Sequence, residues 1–235
     1  MIRTLITAAA LALATTATSA AEFQYFDSFR GGDEGIILLT GEIELGDADK
    51  LRAFKAANPG AGYVAFNSPG GLAYEGWQLG LAMSDMNLKS FVGVGHACLS
   101  ACYSAFIGGS DYEIKGVLGA HVAWRMEEEL EEGETASSVL HHGQLLGSYD
   151  AFYHLLNGFG FQLPFHIVNL TSHDTFLIFM DAEELNKYFA RSDEDKVSEY
   201  LSAVDVEPRV VNASEIWDYV LENVRKHRPE LLEEQ

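Results

Sequence analysis

Gly62-Tyr63-Val64-Ala65-Phe66-Asn67-Ser68-Pro69-Gly70-Gly71 is an apolar run that breaks at a Pro-Gly-Gly turn. The run is short, aromatic and β-branched in part, and it is bounded by turn residues, so it reads as a buried strand. Its end matters most. A strand that stops in Pro-Gly-Gly leaves backbone N–H groups without side chains to cover them, and such groups can hold a developing oxyanion. About thirty residues further on, Gly95-His96-Ala97-Cys98-Leu99-Ser100-Ala101-Cys102 places a serine in a run of small residues that opens a helix, followed by Gly119-Ala120-His121. A hydroxyl on such a turn can face the exposed N–H groups, and a histidine can take its proton. Together these segments point to a serine hydrolase.

Outward from this stretch the chain alternates strands and helices. Gly35 to Ile43 reads as a strand and turn. Asp47 to Ala56 reads as a helix started by an aspartate cap and stopped by Asn58-Pro59-Gly60. Tyr74 to Asn87 is the next helix and Ser90 to Val94 the next strand. Ala101 to Gly108 is a small-residue helix, and Val117 to Val122 a further strand. Ala136 to Asn157 reads as one long helix or two short ones. Ser172 to Tyr188 starts as a loop or short strand and ends in a helix at Asp181-Ala182-Glu183-Glu184-Leu185, while Ala21 to Glu34 is an extended lead-in. The tail, Ser214 to Arg225, is amphipathic with Ile216, Tyr219, Val220 and Val224 on one face. This rhythm is that of a sheet built through crossover connections, an α/β fold.

The 235 residues carry 35 acidic and 15 basic side chains, a formal charge of −20. That balance excludes nucleic acid as a partner, because phosphate binding needs clustered Lys and Arg, and Arg225-Lys226-His227-Arg228 is short and flanked by glutamates. Anionic membrane surfaces are disfavoured for the same reason. The acidity, concentrated in Glu127 to Glu134 and the C-terminal third, reads as solvated faces. Met1-Ile2-Arg3, the apolar Leu5 to Thr15 and Thr18-Ser19-Ala20 before Ala21 have the layout of a secretory signal peptide over residues 1–20. The apolar core is shorter than the roughly 20 residues that span a bilayer, so no membrane span is expected after cleavage. The remainder, 21–235, is expected to be one domain whose last part, from about 190, is a helical extension. Its expected location is periplasmic or secreted.

The two cysteines, Cys98 and Cys102, flank Ser100. In an exported protein they can close a small disulfide, or they can be two small buried thiols. No second cysteine pair exists to complete a metal site. His141, His142, His154, His166 and His173 stand at spacings unlike a His-Glu-x-x-His pattern, so no metal and no cofactor are expected.

The segments Asn67-Ser68-Pro69-Gly70-Gly71 with Gly76, Gly95 to Gly108 around Ser100, and Gly119-Ala120-His121 resemble the Clp protease proteolytic subunit and its relatives in the ClpP/crotonase superfamily. Asp174-Thr175-Phe176 ahead of Asp181-Ala182-Glu183-Glu184-Leu185 is a weaker echo. The resemblance runs from about Gly35 to Tyr188 and implies a spiral of β-β-α units. It implies Ser100 as nucleophile, His121 as general base and Asp174 as the acid that orients it. Gly70 or Gly71 and Ala101 would be the oxyanion donors. Asp181, Asp150 and Ser172 compete with Asp174 for the third role.

The chain departs from that family in its acidic stretch after His121, in the cysteines around the serine and in a shorter Ser100–His121 interval. Peptide or protein is the expected substrate and a homo-oligomer the expected assembly, and no AAA+ unfoldase is expected as a partner outside the cytoplasm. Two other classes share the fold: a non-catalytic scaffold, and a crotonase-like acyl-thioester enzyme, which would need a coenzyme A thioester and has no use for a Ser–His pair.

Overall fold

The structure is a computed structural model and describes residues 20–29, 31–121, 161–162, 174–188, 190–191 and 209–232. Residues 1–19 of the expected signal peptide, the Glu127 to Glu134 stretch, the Ala136 to Asn157 helix, Asp150, Ser172 and the five histidines considered for metal binding lie outside the described residues.

Eleven strands and five α-helices are described. In chain order they are β1 (Glu22–Phe26), β2 (Gly35–Thr40), α1 (Asp47–Ala57), β3 (Ala61–Asn67), α2 (Ala73–Asp85), β4 (Lys89–Val92), β5 (Ala97–Leu99), α3 (Ala101–Phe106), β6 (Tyr112–Ile114), β7 (Val117–Ala120), β8 (Phe161–Gln162), β9 (Thr175–Phe179), α4 (Ala182–Tyr188), β10 (Ala190–Arg191), β11 (Val210–Asn212) and α5 (Ile216–His227). Two mixed sheets carry the fold. The first runs β1-β2-β3-β4-β6, parallel except for β1; the second runs β11-β9-β7-β5, with β5 and β7 parallel. β8 and β10 form a separate pair.

Isolated parallel bridges extend the second sheet beyond β5. Ser68 bridges Cys98, and Ile43 bridges Gly71. Each turn of the chain therefore gives one strand to the first sheet, a short second segment to the other, and then a helix. β2, Ile43 and α1 make one turn; β3, Ser68 to Gly71 and α2 the next; β4, β5 and α3 the third; β6 and β7 begin a fourth. This is a β-β-α spiral in a mixed α/β fold.

β2, inside the first sheet, is apolar nearly throughout because both of its faces are covered, with Ile36, Ile37 and Leu39 buried, whereas the edge strand β1 alternates exposed and half-buried residues. On α2 the buried positions Gly76, Leu79, Gly80, Ala82 and Met83 recur at helical spacing. They pack on α3, a six-residue helix too short to persist by itself. α3 is held by burial of Ala101, Cys102, Tyr103, Ala105 and Phe106. The approach is closest at Gly76, where a Cβ would fall 2.1 Å from the Ala101 carbonyl oxygen. Only glycine lets α2 come this near to the start of α3.

Local details differ from the sequence expectations. Helix α1 is capped by Gly46 in the left-handed conformation rather than by Asp47, the first helical residue. Asp47 is fully buried, accepting from the Glu44 amide at 2.7 Å and from Lys50 Nζ at 2.8 Å. Strands β5 and β6 have three residues each, too few for an alternation pattern. The tail is more than a helical extension: β11 pairs antiparallel with β9, and α5 buries Ile216, Val220, Asn223 and Val224. Asn223 Nδ2 donates to the Gly116 carbonyl at 2.8 Å, tying α5 to the start of β7.

Candidate active site

The spiral explains how residues far apart in sequence meet. Gly70 and Gly71 follow the second-sheet segment of one turn, Ser100 follows β5 of the next, and His121 follows β7 of the one after. These segments run parallel and side by side, so the residues after them emerge at one end of the sheet. Ser68 locks the first step: its amide donates to the Ala97 carbonyl at 2.8 Å, and its carbonyl accepts from the Leu99 amide at 3.0 Å. The Ser100 amide donates to the Gly119 carbonyl at 2.9 Å and locks the second.

Ser100 stands between β5 and α3 with φ 56° and ψ −123°. A non-glycine residue in that region costs on the order of 1–3 kcal/mol and persists only where the surroundings impose it. The strand-to-helix turn is that of a nucleophile elbow, which lifts the hydroxyl clear of the backbone. Ser100 Oγ lies 2.6 Å from His121 Nε2, within the range for proton transfer. The imidazole stacks on the Phe176 ring of β9, centroids 4.3 Å apart and planes 22° from parallel, which fixes the plane in which Nε2 meets the hydroxyl.

The Pro-Gly-Gly turn abuts the serine. At Gly70 (φ +104°) a Cβ would lie 2.6 Å from both Ser100 Cβ and the Leu99 carbonyl oxygen, and 3.0 Å from the Ala101 amide nitrogen. The Gly70 amide is committed to Ser68 Oγ at 3.1 Å, while its carbonyl accepts from the Ile43 amide at 2.7 Å. Across a trans peptide the next N–H points opposite to the carbonyl. The Gly71 N–H is thus turned away from Ile43, to the side on which β5 lies. Of the two glycines, Gly71 is the one whose N–H is turned to the β5 side, while the Gly70 N–H is taken by Ser68.

The Cys98 and Cys102 sulfurs are bonded, with Cα atoms 5.2 Å apart, and both residues are fully buried. The bridge spans the two residues on either side of Ser100.

The carboxylates separate clearly. Asp181 caps α4: its Oδ1 accepts from the Glu184 amide at 2.8 Å, which explains it as a helix cap. Asp174 is exposed in the turn that leads into β9, and its carbonyl accepts from the Ala213 amide at 2.7 Å. It lies two residues before Phe176, the residue whose ring stacks on His121.

Sequence reasoning did not single out Ser68, the Gly119 carbonyl or Phe176. Phe176 stands inside the quoted Asp174-Thr175-Phe176. Among the described residues, no group of three or more His, Cys, Asp or Glu side chains could hold a metal ion, and no helix is long and apolar enough to cross a membrane.

No family model matches the sequence, and no curated protein does. The structural neighbours are ClpP/crotonase-fold proteins. A membrane-bound stomatin-specific protease is 12% identical, with 69% of this chain and 81% of that chain covered and a TM-score of 0.35. An enoyl-CoA hydratase/isomerase family member is 13% identical, with 89% and 76% covered and a TM-score of 0.34. A decarboxylase domain of CurF from Lyngbya majuscula is 11% identical, with 87% and 77% covered and a TM-score of 0.30.

Proposed function

We propose that this chain is a serine hydrolase acting on acyl bonds, with peptide or protein as substrate. The observation that carries the reading is Ser100 in its elbow conformation with Oγ 2.6 Å from His121 Nε2. Ser100 Oγ attacks the substrate carbonyl carbon as its proton passes to His121 Nε2. The carbonyl oxygen takes the negative charge and accepts from the Gly71 and Ala101 N–H groups, which need no reorganisation as the charge forms. His121 then protonates the leaving amine or alcohol, leaving an acyl group on Ser100, and water activated by the same histidine releases the acid. Asp174 is the carboxylate we assign to orienting His121, with Asp181 occupied as a cap.

The buried Cys98–Cys102 bridge supports a location where disulfides persist, the periplasm or outside the cell. We take the chain to work there, as a homo-oligomer.

A fluorophosphonate, which reacts with activated serines, tests the assignment. Wild-type protein should be labelled at Ser100, and Ser100→Ala should lose the label while staying folded, because alanine bears the same backbone strain. Undiminished labelling of the variant would remove Ser100 from the role. Absence of label on both would favour the non-catalytic scaffold.

A further inference from the structure

We propose that the Cys98–Cys102 disulfide is a positioning element of the nucleophile, so that Ser100 is fully reactive only in the oxidised chain. The inference rests on the hydrolase reading above. Cys98 is fixed in the second sheet, bridged to Ser68 on one side and paired with Leu118 on the other. Cys102 lies in the first turn of α3, which packs on α2. The covalent link therefore joins a strand and a helix across the single residue that carries the hydroxyl.

Other contacts hold Ser100 from one side at a time. Its amide is fixed to Gly119, its carbonyl accepts from the Tyr103 amide at 2.9 Å, and the Gly70 backbone lies against it with no room for a Cβ between them. None of these contacts by itself prevents the unfavourable φ of Ser100 from relaxing into the ordinary helical region. The bridge between the residues two before and two after does prevent it. A serine that relaxes in this way keeps its hydroxyl but loses the approach to His121 and to the Gly71 and Ala101 donors.

Burial adds a consequence for timing. Both cysteines are fully buried beneath the elbow, so an external dithiol does not reach the sulfurs in the folded chain. The redox state is set as the chain folds. A chain that folds where dithiols keep cysteines reduced has two thiols and a loosened elbow. A chain that folds where an oxidant removes two electrons and two protons from those thiols has the locked one.

Full-length wild-type protein is prepared in two forms, one folded under oxidising conditions and one folded with dithiothreitol, and compared with the double variant Cys98→Ala/Cys102→Ala. The fluorophosphonate labelling rate, kcat and KM on one ester substrate, and the melting temperature are measured for each. Both forms without the bridge should label and turn over about 10²-fold more slowly, the loss expected for a nucleophile misplaced by about 1 Å. KM should hold and the proteins should remain folded at the assay temperature. Reoxidising the thiol form through unfolding should restore the rate.

Labelling of the thiol form and the variant as fast as the oxidised protein would overturn the proposal. So would failure of both to fold, which would make the bridge a folding requirement alone. If the oxidised wild type is itself unlabelled, the hydrolase reading fails and this inference falls with it.

Discussion

Gly70→Ala tests the site at its tightest point. The new methyl carbon would stand 2.6 Å from Ser100 Cβ, 2.6 Å from the Leu99 carbonyl and 3.0 Å from the Ala101 amide nitrogen. Leu99 and Ala101 are backbone in a packed sheet-to-helix junction, so the elbow itself must move. Restoring ordinary carbon–carbon separation requires Ser100 Cβ to retreat by about 0.8 Å. A displacement near 1 Å costs on the order of 10²-fold in rate, and the methyl also crowds the Ala101 N–H. The φ of +104° adds backbone strain on the order of 1–3 kcal/mol, which acts on stability rather than on chemistry. Gly46→Ala separates the two effects, since Gly46 has φ +95° with nothing within 4 Å of the added carbon. Both variants should melt earlier than wild type, and only Gly70→Ala should lose fluorophosphonate labelling by about 10²-fold. The reasoning is refuted if Gly70→Ala labels at the wild-type rate. An equal loss in Gly46→Ala would mean that general destabilisation, not displacement of the serine, controls the label.

The carboxylates should separate by assay: Asp174→Asn should lower ester hydrolysis by about 10⁴-fold with the melting temperature held. Asp181→Ala should leave hydrolysis intact and cost about 1 kcal/mol of stability through loss of the α4 cap; the reverse pattern would exchange their roles. His96 is partly buried beside Gly93, with Nδ1 lacking a hydrogen-bond partner, and burial pushes its pKa down. The unfolded chain binds a proton there first as pH falls, so stability should decline on acidification below about 6.5, and His96→Gln should flatten that slope in melts taken across the range. An unchanged slope in the variant would assign the acid sensitivity elsewhere.

The local rhythm and its chemistry were legible in the sequence because both are written in short-range patterns. Apolar runs ending in Gly or Pro marked β2 and β3. The helical recurrence of Leu79, Ala82 and Met83 marked α2, and Ile216, Val220 and Val224 marked α5. The small residues around Ser100 and the Pro-Gly-Gly turn declared themselves because glycine and proline restrict the backbone wherever they stand. What the chain pattern could not carry was anything decided by a neighbouring turn of the spiral. Strands β5 and β6, of three residues each, exist because parallel partners hold them, and β11 exists because β9 offers an edge.

The same limit applied within the site. Gly70 and Gly71 are equivalent in sequence; the Ile43 amide, by taking the Gly70 carbonyl, turns the Gly71 N–H to the other side. Asp174 and Asp181 are both loop carboxylates until the α4 amide of Glu184 engages one of them. Ser100 has no intrinsic preference for φ 56°; its conformation is held by the Cys98–Cys102 link between β5 and α3, with the Gly119 carbonyl of the next turn fixing its amide. Side-chain identities determined which chemistry was possible. The stacking of successive β-β-α turns decided which atoms meet, because the approach of Gly70 to Ser100 and of Ser100 to His121 depends on strand register, which no local preference specifies.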